Sequence, residues 1–204
     1  KGLLCNHSCS ISVLWDELKS VNNLSINNSI RKDFKVPGSK ANLQIFREEL
    51  EGQSSNFILH YLLSVLNSSV AWYFLNRNRR SQIGFYPDDI KKLPVKITSR
   101  ENQLLVKKLT LCIMNSSGEE NIDAFSFFDK LINSAIYEVY FPEVFGDADI
   151  EILKYVADFP SFNDTATAEG KTEQAVKLYN QISQSSHVIM KMMEKVKELN
   201  EVKI

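Results

Sequence analysis

The chain has 204 residues, 44% of them hydrophobic and 24% charged, with 7 Gly and 5 Pro. These values sit near globular averages, so collagen-like, mucin-like and fully disordered chains are excluded, and the length suits one domain or two small ones. The net charge of −1 hides a split: residues 1–30 carry two charges of each sign, residues 31–108 carry 14 Lys+Arg against 7 Asp+Glu, and residues 109–204 carry 8 against 16. A basic stretch can hold a polyanion while an acidic half stays clear of it. The plainer alternative is two differently solvated surfaces.

In chain order, Ile11, Leu14, Trp15, Leu18 and Val21 have helical spacing, and Asn22-Asn23 should end that helix. Residues 31–40 are basic and broken at Pro37-Gly38, after which Leu43, Ile45 and Phe46 suggest a short strand. From Asn56 to Asn78 the chain is apolar almost all round, which predicts one buried helix of about five or six turns as the spine of the core. Pro87 before Asp88-Asp89 opens a one- or two-turn helix closed by Leu93-Pro94, and a strand is expected at Val95–Ile97. Residues 99–115 and 121–141 are helical and should pair, the second ending before Pro142. A short helix at 149–157 precedes a long amphipathic helix over Thr172–Val202, whose seam is interrupted by Gln184-Ser185-Ser186. That helix should pack in cis against residues 99–141, since a self-associating coiled coil needs an unbroken seam. The expected fold is mainly α (α+β), helical with a minor β component and a long C-terminal helix.

No apolar run approaches the roughly 18 to 20 residues that span a bilayer, and the first residues lack a signal-peptide core. We expect a cytoplasmic protein with no membrane contact. The start at Lys1 rather than Met suggests a portion of a longer chain. Three Cys make no disulfide framework, and the six Asn-x-Ser/Thr sequons are read as chance. Cys5, His7 and Cys9 alternate, but no second ligand pair follows at zinc spacing, so no metal site is expected. Pro37-Gly38-Ser39-Lys40 lacks the first glycine of a phosphate loop and is a turn. No nucleophile or metalloprotease signature occurs, so no catalytic residue is assigned.

The informative stretch is Asn76 to Tyr86 followed by Lys91-Lys92. Arginine forks match phosphates and guanine edges, amides pair with adenine edges, and an aromatic ring can stack. The DNA-binding candidates are Arg77, Asn78, Arg79, Arg80, Gln82, Tyr86, Lys91 and Lys92. Arg77, Arg79, Arg80, Lys91 and Lys92 would contact phosphates, and Gln82 or an arginine would read bases. Against this stands a basic loop that merely complements the C-terminal end of a helix.

Asn42-Leu43-Gln44-Ile45-Phe46-Arg47, Leu62-Leu63-Ser64-Val65-Leu66-Asn67-Ser68 with Trp72-Tyr73-Phe74, Gly84-Phe85, and Lys91-Lys92-Leu93-Pro94 occur in an order that carries a resemblance. Together with Phe128-Asp129-Lys130-Leu131 leading into Ile136–Tyr140, they resemble the TaqI-like specificity (target-recognition) domain of type IIG restriction-modification enzymes and adenine-specific DNA methyltransferases. The likeness covers about residues 41–157, and Phe141-Pro142 stands where that family usually has a Leu-Tyr-Gly-like corner. The expected division is residues 1–98, part of a target-recognition region with a basic DNA-facing loop, and residues 99–204, a helical C-terminal region; the likeness leaves the first 40 residues and the last helix unexplained. The partners implied are double-stranded DNA and the N-terminal methyltransferase and nuclease domains of a parent chain. Methyl transfer from S-adenosylmethionine and Mg-dependent cleavage would reside in those domains, with no cofactor here. The competing class is a helical protein-interaction or oligomerisation module in which the long final helix forms a coiled-coil-like arm and the basic loop is only solvated.

Overall fold

A computed structural model describes residues 13–19, 21, 24–36, 40–78, 87–162, 165–200 and 202. The architecture is mainly α, and no strand occurs among the described residues, which removes the expected β component. The chain divides into two compact units, residues 1–59 and 60–204.

The first unit holds a 3-10 turn at Trp15–Leu18, helix α1 (Leu24–Phe34) and helix α2 (Lys40–Ser54). Among the described residues the expected helix over 11–21 is therefore a single turn; Ile11 lies outside them. Helix α2 replaces the strand expected at Leu43–Phe46. Leu43 is 7% exposed but Ile45 is 65% exposed, and burial recurs at Leu43, Arg47 and Glu51, one position per helical turn. Rings of Phe34 and Phe46 meet at 5.1 Å between α1 and α2.

The contact between α2 and the 3-10 turn is polar at its centre. Arg47 donates from Nε to Glu51 Oε1 at 2.9 Å and from Nη2 to the carbonyls of Leu18 and Val21, the latter at 2.7 Å. Ser54 Oγ accepts the Asp16 N–H at 2.8 Å. An element this short satisfies few of its own backbone groups, so side chains of α2 take them up.

The second unit begins one residue into α3 (Leu59–Leu66) and continues with α4 (Ser69–Asn78), α5 (Pro87–Ile90), α6 (Arg100–Asn115) and α7 (Ile122–Tyr140). Then follow α8 (Pro142–Asp147), α9 (Ile152–Ala157), α10 (Ala168–Ile182) and α11 (Val188–Glu198). The single long helix expected from Asn56 is broken because buried Ser68 accepts the Ala71 N–H on its hydroxyl at 3.2 Å, an N-cap that starts a new helix. Nor is that pair the spine of the core, since Leu63, Leu66 and Trp72 are 43%, 40% and 65% exposed. Helix α7 takes that place. Its Phe128, Leu131, Ala135 and Ile136 are fully buried, and it touches α4, α6, α8, α9, α10 and α11.

Helices α6 and α7 pair as expected, and Ser99 caps α6 by accepting the Asn102 N–H at 3.1 Å. Pro142 both ends α7 and opens α8, where its missing N–H costs nothing. The expected one-turn helix from Pro87 is α5, and the expected short helix near 149–157 is α9. The long C-terminal helix is two helices: the polar run at 184–186 separates α10 from α11, and His187 Nδ1 caps α11 by accepting the Ile189 N–H at 3.3 Å. Both pack in cis, α10 on α6 and α7, α11 on α7 and α9. No helix among the described residues is long and apolar enough to cross a membrane.

One ionisable group tunes this core. Glu138 on α7 accepts the Leu153 N–H at 3.0 Å where α9 begins. Burial pushes its carboxyl up to about 7, outweighing backbone hydrogen bonds from Leu153 and Ile152 that favour the charged form, while nearby Glu151 adds to the rise. A carboxyl that binds its proton more tightly in the folded state loses stability as pH rises through the folded value. Glu138→Gln keeps an acceptor and removes the charge. It should therefore raise the thermal midpoint at pH 8, by an effect of about 1–3 kcal/mol, and leave it nearly unchanged at pH 5. Thermal melts at the two pH values check this, and an equal shift at both rejects the assignment.

Candidate nucleic-acid interface

Helix α4 carries the first two candidates in its last turn. Arg77 donates from Nη1 to the Tyr73 hydroxyl at 2.6 Å, and its guanidinium carbon lies 5.5 Å from the centre of that ring. This i, i+4 contact stiffens an otherwise exposed arginine at the negative end of a helix. Asn78 donates from Nδ2 to the Phe74 carbonyl at 2.8 Å, so its amide is turned back onto its own helix. That satisfies one C-terminal carbonyl with one of the two N–H donors of the amide.

Helix α5 packs against α4, and Lys91 and Lys92 follow it in an exposed turn. The backbone of that turn is held by Lys92 N–H to the Asp89 carbonyl at 3.2 Å and Leu93 N–H to the Ile90 carbonyl at 3.0 Å, with Leu93 buried beneath. The structure thus brings Arg77 and Asn78 on α4 to a helix packed against the one that leads into Lys91 and Lys92. Arg79, Arg80, Gln82 and Tyr86 lie outside the described residues, as does Phe85.

The basic middle of the chain is not all available to a polyanion. Arg47 is committed to carbonyls of the first unit; Lys96 Nζ donates to the Tyr140 carbonyl at 3.3 Å, at the C-terminal end of α7; Lys108 Nζ donates to the carbonyls of Ala157 and Phe159 at 2.8 and 2.9 Å. Cations placed on helix C-termini are structural charges. Counting charge along the sequence missed this division, because it depends on which carbonyls the fold brings within reach.

Sequence reasoning also missed the polar residues that support the extended segment 93–99. Tyr61 donates its hydroxyl to the Lys96 carbonyl at 2.7 Å. The Tyr140 hydroxyl donates to the Pro94 carbonyl at 2.8 Å and accepts the Lys96 N–H at 3.4 Å. These phenols do for residues 94–96 what a neighbouring strand would have done; among the described residues the expected strand at 95–97 has no partner strand. Tyr61 directly precedes the Leu62–Ser68 motif, but nothing local marks its hydroxyl.

Other reactive groups are poor candidates for chemistry. Cys112 is 1% exposed, and burial pushes its thiol up to about 12, against a backbone hydrogen bond and Lys108 acting the other way. It is held as an inert thiol. His60 is lowered by burial and by Lys107. Among the described residues no group of three or more His, Cys, Asp or Glu side chains is placed to hold a metal ion; Cys5, His7 and Cys9 lie outside them.

Comparison with protein-family models, curated proteins and solved structures finds no match to this chain.

Proposed function

We propose that this chain is the DNA-binding target-recognition portion of a restriction-modification protein, positioning double-stranded DNA for chemistry carried by other domains of a longer cytoplasmic parent. The observation that carries the reading is the packing of α4 on α5, which anchors the ends of the basic segment between Arg77 and Lys91-Lys92 on two adjacent helices. The ordered resemblance to TaqI-like specificity domains supports it. Arg77, Arg79, Arg80, Lys91 and Lys92 take phosphates. Base reading falls to Gln82 or an arginine, and Tyr86 is left to stack or pack on sugar. The parent is an adenine-specific methyltransferase or type IIG restriction enzyme. Its methyltransferase and nuclease domains use S-adenosylmethionine and Mg, and this portion alone neither methylates nor cuts.

Five phosphate contacts predict that the logarithm of the DNA affinity falls with that of salt with a slope of about −4 to −5. Arg79→Ala/Arg80→Ala should weaken binding and reduce the slope by about 2. Fluorescence anisotropy with duplex DNA over a salt series measures both. Equal affinity for wild type and double variant removes this segment from the interface.

A second reading, a helical protein-interaction module, is favoured by the solvent-facing side chains of α3 and α4. Leu59, Leu63 and Leu66 recur at helical spacing at 40–43% exposure, beside Trp72 at 65%. The last two helices no longer support it, since their apolar faces pack on α6, α7 and α9. A wild-type chain that binds no duplex DNA, together with a Trp72→Ser/Leu63→Ser variant that stays folded but loses self-association in sedimentation velocity, would favour this reading over the first.

A further inference from the structure

We infer that Tyr61 and Tyr140 are positioning residues for the basic edge: their hydroxyls clamp the backbone of residues 94–96 from α3 and α7 and so set where Lys91 and Lys92 lie. The clamp is a closed set of contacts. Tyr61 donates to the Lys96 carbonyl, Tyr140 accepts the Lys96 N–H and donates to the Pro94 carbonyl, and the Lys96 ammonium returns to the Tyr140 carbonyl. Upstream, Leu93 is buried and its N–H is bonded to Ile90. Between these anchors lies Pro94, whose ring restricts φ, so little slack separates the phenols from the two lysines. Burial raises the pKa of both hydroxyls; Tyr140 adds to the rise at Tyr61, and the backbone hydrogen bond from Lys96 tempers it at Tyr140, so both remain protonated donors at neutral pH. With no strand beside residues 93–99 among the described residues, hydroxyls 35 to 46 residues away in sequence hold this backbone in register.

The role in DNA contact rests on the proposed function; the clamp itself does not. The test uses the full 204-residue chain and the variants Tyr61→Phe, Tyr140→Phe and the pair, which keep the rings and remove the hydroxyls. Hydrogen exchange should speed up about tenfold for the 91–98 amides relative to those of α7, one hydrogen bond's worth of local opening. Duplex affinity should fall about tenfold with a shallower salt slope, and Lys91→Ala/Lys92→Ala should cost much less in the Tyr140→Phe background than in the wild type. The single variants carry the comparison if the pair fails to fold. Unchanged exchange over 91–98 overturns the clamp, and additive losses from the tyrosine and lysine substitutions overturn its positioning role. A wild-type chain that shows no salt-dependent DNA binding overturns the DNA reading instead, and exchange then decides the clamp alone.

Discussion

Arg47→Ala is expected to destabilise the first unit by about 3–5 kcal/mol, the cost of breaking a buried ion pair by removing one partner. The Arg47 and Glu51 side chains are 8% and 11% exposed, so the Glu51 carboxylate would be left with neither partner nor full access to water. Two carbonyls, of Leu18 and Val21, would lose their donor at the same time. The 3-10 turn that carries Trp15 is held to α2 by this guanidinium, so Trp15 fluorescence in a Trp72→Phe background reports the loss in a urea titration. The variant should unfold at markedly lower urea while the transition of the second unit, followed by α-helical circular dichroism, stays in place. Arg47→Met/Glu51→Leu should recover most of the loss, because two apolar side chains of similar bulk remove both charges together. An Arg47→Ala chain with an unchanged Trp15 transition would show that the guanidinium does not hold this unit together.

Met193→Asp is expected to lower the thermal midpoint of the second unit by roughly 10 °C or more. Met193 is 6% exposed on α11, beside buried Ile189, Met192 and Val196, and α11 packs on α7 and α9. A carboxylate there is buried among apolar groups, a change worth more than about 4 kcal/mol, and each kcal/mol moves the midpoint of a chain of this size by about 2–4 °C. Met193→Leu, which conserves volume and polarity, should cost under about 1.5 kcal/mol. Differential scanning calorimetry of the three chains makes the comparison. If Met193→Asp instead kept its midpoint and only abolished dimerisation, α11 would be an intermolecular arm.

Helices α6 and α7 were legible in the sequence because their apolar residues recur at helical spacing for several turns, and Ser99 and Pro142 mark ends by their own chemistry. Pro87 announced α5 in the same way. The charge split between residues 31–108 and 109–204 was equally readable, since it is composition. Where the reading departed from the fold, the deciding interaction was a competition between two local patterns. Leu43 and Ile45 suit a strand and Leu43, Arg47 and Glu51 suit a helix, but only burial chose the second. Asn67-Ser68 and Ser185-Ser186-His187 interrupt apolar periodicity by two or three residues, and each proved to be a helix boundary once a side chain capped the next turn.

Sequence by itself determined the helical class, the pairing of α6 with α7, the inward packing of the C-terminal helices and the position of a basic segment between two helix ends. These properties depend on spacing, capping and charge within a few residues. Tertiary structure alone decided that α7 is the centre of the core, that Arg47, Lys96 and Lys108 spend their charge on backbone carbonyls, and that Tyr61 and Tyr140 hold the segment after Lys92. Those contacts join residues 26 to 51 positions apart, where loop closure costs nearly the same for many possible partners and the winning one is set by packing around it.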